Sequence, residues 1–183
     1  MGMGNRQIIE MDPVRIKELV SGRETENIAF RRFLKGMDGN AVDRLVQSLH
    51  KEIIPQVDCT LCGNCCSCLK PGISRYDIKI LADLEGVSTE EYVLGYCRED
   101  EFDGIFLKDT PCRYLVGKRC SIYESRPGQC RKFPYTGENG FIFRLWGIIG
   151  FYGICPIVFH IIERLKGSLG FRYRQRNGTI GRE

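Results

Sequence analysis

The chain is 183 residues long, 43% hydrophobic and 27% charged, with 10 cysteines and a formal charge of +4. That length and apolar content suffice to bury a core, which excludes a small fold supported by crosslinks alone; a bound metal would supplement the core rather than replace it. The expected architecture is a small α+β, metal-organised domain with short strands and several helices. It divides into a helical N-terminal extension (1–56), a cysteine-cluster metal-binding domain (57–166) and a basic, disordered tail (167–183).

The first twenty residues carry charges throughout and lack an apolar stretch ending in small residues, so they do not read as a secretory signal, and the expected setting is cytoplasmic. Helices are expected at 13–21, with Pro13 suited to a first turn, at 26–36 and at 40–54. The third is the clearest: Val42, Leu45, Val46, Leu49, Ile53 and Ile54 recur at helical spacing, Asp43, Arg44, Gln47 and Lys51 take the other face, and Pro55 closes it. That stripe reads as a packing face.

Next comes a dense run, Cys59-x2-Cys62-x2-Cys65-Cys66. Ser74 then precedes a helix over 75–85 that ends at Gly86, and Ser88 with Glu91 forms a capping box that opens a helix to about Tyr96. Residues 104–107 and 113–116 read as short strands with Asp109-Thr110-Pro111 as the turn between them. Four further cysteines, Cys112, Cys120, Cys130 and Cys155, are dispersed over the second half.

From Phe141 to Ile162 the chain is almost continuously apolar, and 145–162 contains no Asp, Glu, Lys or Arg. That length meets the criterion for a membrane span. Against it stand Arg144, three glycines at 147, 150 and 153, and the Cys155-Pro156 break. The favoured parse is a buried strand or strand pair through about Gly153, followed by a helix opened by Pro156; no membrane span is expected. The tail interleaves Phe171 and Tyr173 with Arg172, Arg174, Arg176 and Arg182, a pattern that can stack on single-stranded bases but more often is a solvated terminus.

Eight cysteines in two sets are twice what one zinc ion or one iron–sulfur cluster takes. The candidate metal ligands are therefore Cys59, Cys62, Cys65, Cys66, Cys112, Cys120, Cys130 and Cys155. The first run supplies three ligands of the bacterial ferredoxin pattern, and the Cys-Pro that ends that pattern is found only far downstream, at Cys155-Pro156. One four-iron cluster on Cys59, Cys62, Cys65 and Cys155 is the expected first centre, with Cys66, Cys112, Cys120 and Cys130 holding a second. Disulfides are the alternative; vicinal Cys65-Cys66 fits them poorly, and reduced cytosolic thiols favour metal.

Gaps of seven and nine residues separate Cys112, Cys120 and Cys130, too long for the paired Cys-x2-Cys of a zinc ribbon. Arg126 and Arg131, next to ligands, are candidate cofactor-binding residues that would stabilise thiolates or cluster sulfides; Arg113 is as readily a surface residue. The net charge is weak support for nucleic acid, because thiolates that hold two dications bring the formal +4 back to roughly zero. His50 and His160 are the only histidines, each on an apolar-patterned helix; Tyr123 and Glu124 read as core tyrosine and surface glutamate. No catalytic residue can be named.

Residues 59–156, through Cys59, Cys62, Gly63, Cys65, Cys66, Cys112 to Leu115, Cys120 to Tyr123, Arg126-Pro127, Cys130-Arg131, Pro134 and Cys155-Pro156, resemble the CxxCxxCC cysteine-cluster family. The resemblance implies a zinc- or iron-chelating domain with mostly unassigned roles. Cys68 and Cys97 lie outside its simplest pattern. Three functions follow: an iron–sulfur protein (4Fe–4S or larger) in electron transfer, redox sensing or metallocofactor assembly, with a protein or redox partner; a zinc-stabilised module binding protein or nucleic acid; and, from likeness to flagellin lysine methylases alone, a methyltransferase-like enzyme. The chain carries no glycine-rich strand-to-helix phrase to hold S-adenosylmethionine, which weakens the third.

Overall fold

The computed structural model describes residues 9–101 and 104–174. Arg176 and Arg182 of the basic tail lie outside the described residues. The chain is an α+β protein: ten helices and two small antiparallel sheets among those residues. No helix among them is long and apolar enough to cross a membrane.

Helices α1 (Pro13–Val20), α2 (Glu24–Lys35) and α3 (Gly39–Ile53) form the N-terminal part. Asp12 and Asp38 accept hydrogen bonds from the first free amides of α1 and α3, which is why those helices begin where they do. The stripe read on α3 is a packing face: Val42, Val46, Leu49 and Ile53 are buried.

Two very short helices, α4 (Cys59–Cys62) and α5 (Asn64–Cys68), carry the dense cysteine run. Helices α6 (Arg75–Glu85) and α7 (Thr89–Tyr96) follow, each opened by a complete capping box, Ser74 with Asp77 and Ser88 with Glu91. Strand β1 (Cys97–Asp100) pairs with β2 (Gly104–Leu107), and β3 (Leu115–Val116) with β4 (Arg119–Cys120). The 104–107 and 113–116 segments are thus not partners across the Asp109-Thr110-Pro111 turn; that turn joins two separate sheets, and the first takes the polar Cys-Arg-Glu-Asp segment as its other strand.

Residues 128–132 form α8 (Gly128–Lys132), and the apolar stretch forms α9 (Phe141–Ile149) and α10 (Pro156–Ser168). The expected strand before Gly153 is therefore a helix. Phe141, Leu145 and Ile148 are buried at helical spacing, and the Asp43 carboxylate accepts from the amides of Gly140 and Phe141, capping α9 from a residue on α3. Proline at the first position opens α10 as expected.

Two apolar clusters result. The larger joins α1–α3 to α9 and α10 and includes Phe30, Leu34, Val46, Leu145 and Ile162; the smaller joins α6 and α7 to the strands through Ile78, Leu81, Tyr92, Leu107 and Tyr114. Cys155 belongs to the larger cluster, while Cys97, Cys112 and Cys120 pack against the smaller. The cysteine-rich segments lie where the two meet.

Candidate metal centre

Local backbone geometry fans the dense run out. Asp58 caps α4 by accepting from the Thr60 amide at 2.8 Å and its hydroxyl at 2.6 Å. Cys59 and Cys62, three apart on one turn, share a face of α4. Gly63 then takes a left-handed conformation, φ 62°, and turns the chain into α5. No other residue type suits that place. A Cβ there would sit 2.7 Å from the Lys118 carbonyl oxygen, so the close passage of the β3–β4 hairpin over the α4–α5 joint requires glycine as much as the dihedral does.

On α5, successive residues project about 100° apart. Cys65 and Cys66 leave the helix in different directions, yet their Sγ atoms meet 3.9 Å apart. Cys65 lies within electrostatic reach of Cys59 and Cys155, and Cys155 of Cys59 and Cys62. Cys66 lies within reach of Cys112, Cys120 and Cys130. The eight thiols thus form one cluster about the vicinal pair, in which Cys66 acts on Cys59 as well as on Cys112, Cys120 and Cys130. All ten cysteines carry free thiols. Among the described residues no group of three or more Cys, His, Asp or Glu is arranged so as to hold a metal ion.

The distant thiols are delivered by specific contacts. The Asn64 side-chain amide donates to the Ile154 carbonyl at 2.6 Å, tying α5 to the residue before Cys155. The Cys112 amide donates to the Cys66 carbonyl at 2.8 Å. Buried Asp77, besides closing its capping box, accepts from the Gly128 amide at 3.0 Å and so fixes the start of the helix that carries Cys130. Neither Asn64 nor Asp77 is identifiable as a site residue from the sequence. Their partners lie 90 and 51 positions away.

The site's electrostatics fit a cationic group. Burial pushes the Cys155 thiol up to about 12, helped by Cys59 and Cys62, and the Cys130 thiol up to about 12, helped by Cys66, Cys112 and Cys120. Burial likewise raises Cys59, Cys112 and Cys120. Within the vicinal pair the hydrogen bond that the two thiols share raises Cys65 and lowers Cys66. Half-buried thiols this close cannot all ionise against one another without positive charge between them. The residues present therefore suit a metal or cluster.

Arg126 lowers the proton affinity of Cys59, Cys120 and Cys130 by its charge; its guanidinium donates to the Tyr123 carbonyl and lies 3.7 Å over the Tyr123 ring. Arg131 does something different. It donates to the carbonyls of Arg126 (2.9 Å) and Glu124 (2.7 Å), holding the loop that holds Arg126. Arg113 turns away, 3.4 Å over the Tyr96 ring and 3.3 Å from Glu85.

Cys68 is exposed, donates to the Asn64 carbonyl at 2.9 Å, and lies within reach of Cys62 and Cys66. Cys97 faces Lys108, Glu99 and Arg113 instead of other thiols. Burial lowers the proton affinity of both histidines: His50 contacts the Thr136 hydroxyl at 2.9 Å and His160 the Glu10 carbonyl at 3.2 Å.

The family profile named CxxCxxCC, described as a putative zinc- or iron-chelating domain, matches residues 58–147. This segment belongs to the CxxCxxCC family. The match spans the dense run, the β3–β4 hairpin and α8, and ends before Cys155, so the remote eighth thiol is contributed from outside it. The family's description makes this a metal-chelating domain. No curated protein and no solved structure matches the chain.

Proposed function

We propose that this is a cytoplasmic iron–sulfur protein with two adjacent centres: Cys59, Cys62, Cys65 and Cys155 hold a four-iron cluster, and Cys66, Cys112, Cys120 and Cys130 hold a second metal centre. What supports this reading is the gathering of the eight thiols about the Cys65–Cys66 pair, with Cys65 near Cys155 and Cys66 near Cys112, Cys120 and Cys130. Ferredoxin-like spacing in the first group and the proline after Cys155 favour iron–sulfur chemistry for that group. When bound, such clusters supply one-electron exchange, which suits electron transfer, redox sensing or metallocofactor assembly.

The chain's own contributions are separable from the metal. Gly63 and the two short helices aim the thiols, Asn64 ties the first group to residue 154, and Arg126 offsets thiolate charge beside Cys59, Cys120 and Cys130. Arg131 acts through Arg126 as a positioning residue. Exposed Cys59 and Leu61 put the edge of the first group at the surface, where a protein or redox partner would meet it.

Anaerobic purification followed by iron, zinc and acid-labile sulfide analysis with visible spectra tests the reading. Brown protein with sulfide and two spectroscopic components is expected; Cys62→Ser should remove one and Cys120→Ser the other. A colourless protein holding only zinc would replace the iron–sulfur reading with a zinc-stabilised binding module, because d10 zinc does not absorb in the visible. Loss of one common signal in both variants would replace two centres by a single fused one.

A further inference from the structure

Helix α9 is apolar on its outer face as well as its inner one. Phe143 is 91% exposed and Trp146 61% exposed, and their spacing of three puts them on one side of the helix. Gly147 and Gly150 extend the same side without side chains. An aromatic pair this exposed is an interaction surface in search of an occupant, since soluble chains do not present contiguous apolar patches without use.

The surroundings of the pair are basic. Arg31 of α2 lies 5.2 Å from the Trp146 ring centre, and its Nε is buried with no hydrogen-bond partner. Lys35, one turn on, and Ile28, 41% exposed, share the Arg31 face of α2. On the other flank a cleft of about 360 Å³ between α3 and α9 is lined by Asn40, Arg44, Gln47, Asn139, Ile142 and Phe143. Asp43 in that cleft is engaged by the Gly140 and Phe141 amides, Asp38 by the amides it caps, Glu26 by Lys166 and Glu138 by Arg144; Glu24 is about two turns from Arg31 along α2.

We propose that this surface docks on an anionic membrane, with Phe143 and Trp146 entering the headgroup–acyl boundary, Arg31, Lys35 and Arg44 meeting lipid phosphates, and the cleft beside Phe143 taking one headgroup. Two features favour a lipid surface over a protein partner. The aromatic side chains stand exposed on the outer face of α9, and Arg31 and Lys35 of α2 and Arg44 of α3 flank them. That is the composition of a membrane–water interface, where rings occupy the boundary and Lys or Arg the phosphate level. The attachment is peripheral, in keeping with the absence of a spanning helix among the described residues. It is independent of which metal the cysteines hold.

Trp146 is the chain's one tryptophan, so its emission reads this surface directly. Metal-loaded protein is mixed with vesicles of phosphatidylcholine alone or of phosphatidylcholine with phosphatidylglycerol, and followed by co-sedimentation and fluorescence. Binding is expected only to the phosphatidylglycerol vesicles, with blue-shifted Trp146 emission, and weakened by salt. Phe143→Ser, an exposed substitution that should leave the circular dichroism and metal content unchanged, is expected to weaken partitioning about tenfold. Arg44→Gln should weaken it about fivefold. No co-sedimentation with phosphatidylglycerol vesicles, or binding that leaves Trp146 emission and the Phe143→Ser variant unaffected, overturns the proposal. Self-association that Phe143→Ser abolishes, without vesicle binding, would assign the surface to a second copy of the chain.

Discussion

The two halves of this protein are held together by different physics. Nineteen buried residues make up the apolar cluster of α1–α3 with α9 and α10, and its helices run for 8 to 15 residues. Only seven buried residues make up the cluster against which Cys97, Cys112 and Cys120 pack, and six of the eight candidate ligands sit on helices of four or five residues or a strand of two, while Cys155 comes from the larger cluster. Helices that short do not persist on their own. One half has a core that can stand by burial; the other has a core too small for the irregular chain it must order, and metal binding supplies folding free energy where ligands come from separate segments.

The sharpest way to break this comparison is to injure one half and read the other. Phe30, fully buried in the larger cluster and ringed by Phe33, Phe171 and Lys166, is the natural target. Phe30→Ala should cost about 3–5 kcal/mol of stability, read as a fall in denaturation midpoint, while purified folded protein keeps its metal-to-protein ratio. Loss of metal in proportion to stability would show that the halves are a single cooperative unit.

Gly63→Ala is the converse experiment. It adds a Cβ against the Lys118 carbonyl at a left-handed residue, a strain of about 1–3 kcal/mol placed between α4 and α5. Metal content should fall, whereas hydrogen-exchange protection of α3 and α10 should not. Gly86→Ala is the control: it has a similar φ, 69°, and an added Cβ would meet nothing within 4 Å, so it should cost stability without reducing metal.

A smaller effect sharpens the helical side. Burial alone would push the Glu163 carboxyl up, but hydrogen bonds from Tyr152 and Lys166 and the charges of Lys166 and Arg23 hold it below the usual carboxylate range. A depressed folded value contributes stability above the unfolded pKa and loses it as pH falls through the folded one. Glu163→Gln should therefore cost about 1–2 kcal/mol at neutral pH, with the gap from the natural chain closing as pH drops below the ordinary carboxylate range. A gap that stays constant on acidification would mean that the charge of Glu163 is not what the network uses.

Legibility in the sequence followed the range of the interactions involved. Ser74 before its helix, the Ser88–Glu91 capping box, Pro13, Pro156 and the α3 stripe are local signals, and the helices they mark form there. The cysteine spacing made a metal-chelating domain readable for the same reason. Strand β1 escaped because its polar Cys-Arg-Glu-Asp sequence is neither alternating nor apolar; it is a strand because β2 needs a partner. Helix α9 was hidden because apolar residues on both its faces, with Gly147 and Gly150 among them, blur the helical period, and its cap, Asp43, is nearly a hundred residues away. Asn64 and Asp77, which deliver Cys155 and Cys130, are equally non-local.

The most direct test of the central claim is hydrogen exchange on the metal-loaded protein and on the same protein after anaerobic chelation. Amides in segments 59–68 and 112–132 should lose most of their protection, while those of α2, α3 and α10 keep theirs to within a few-fold. Equal protection in both halves with and without metal would contradict the account, because the cysteine-bearing half would then be standing on its own small core.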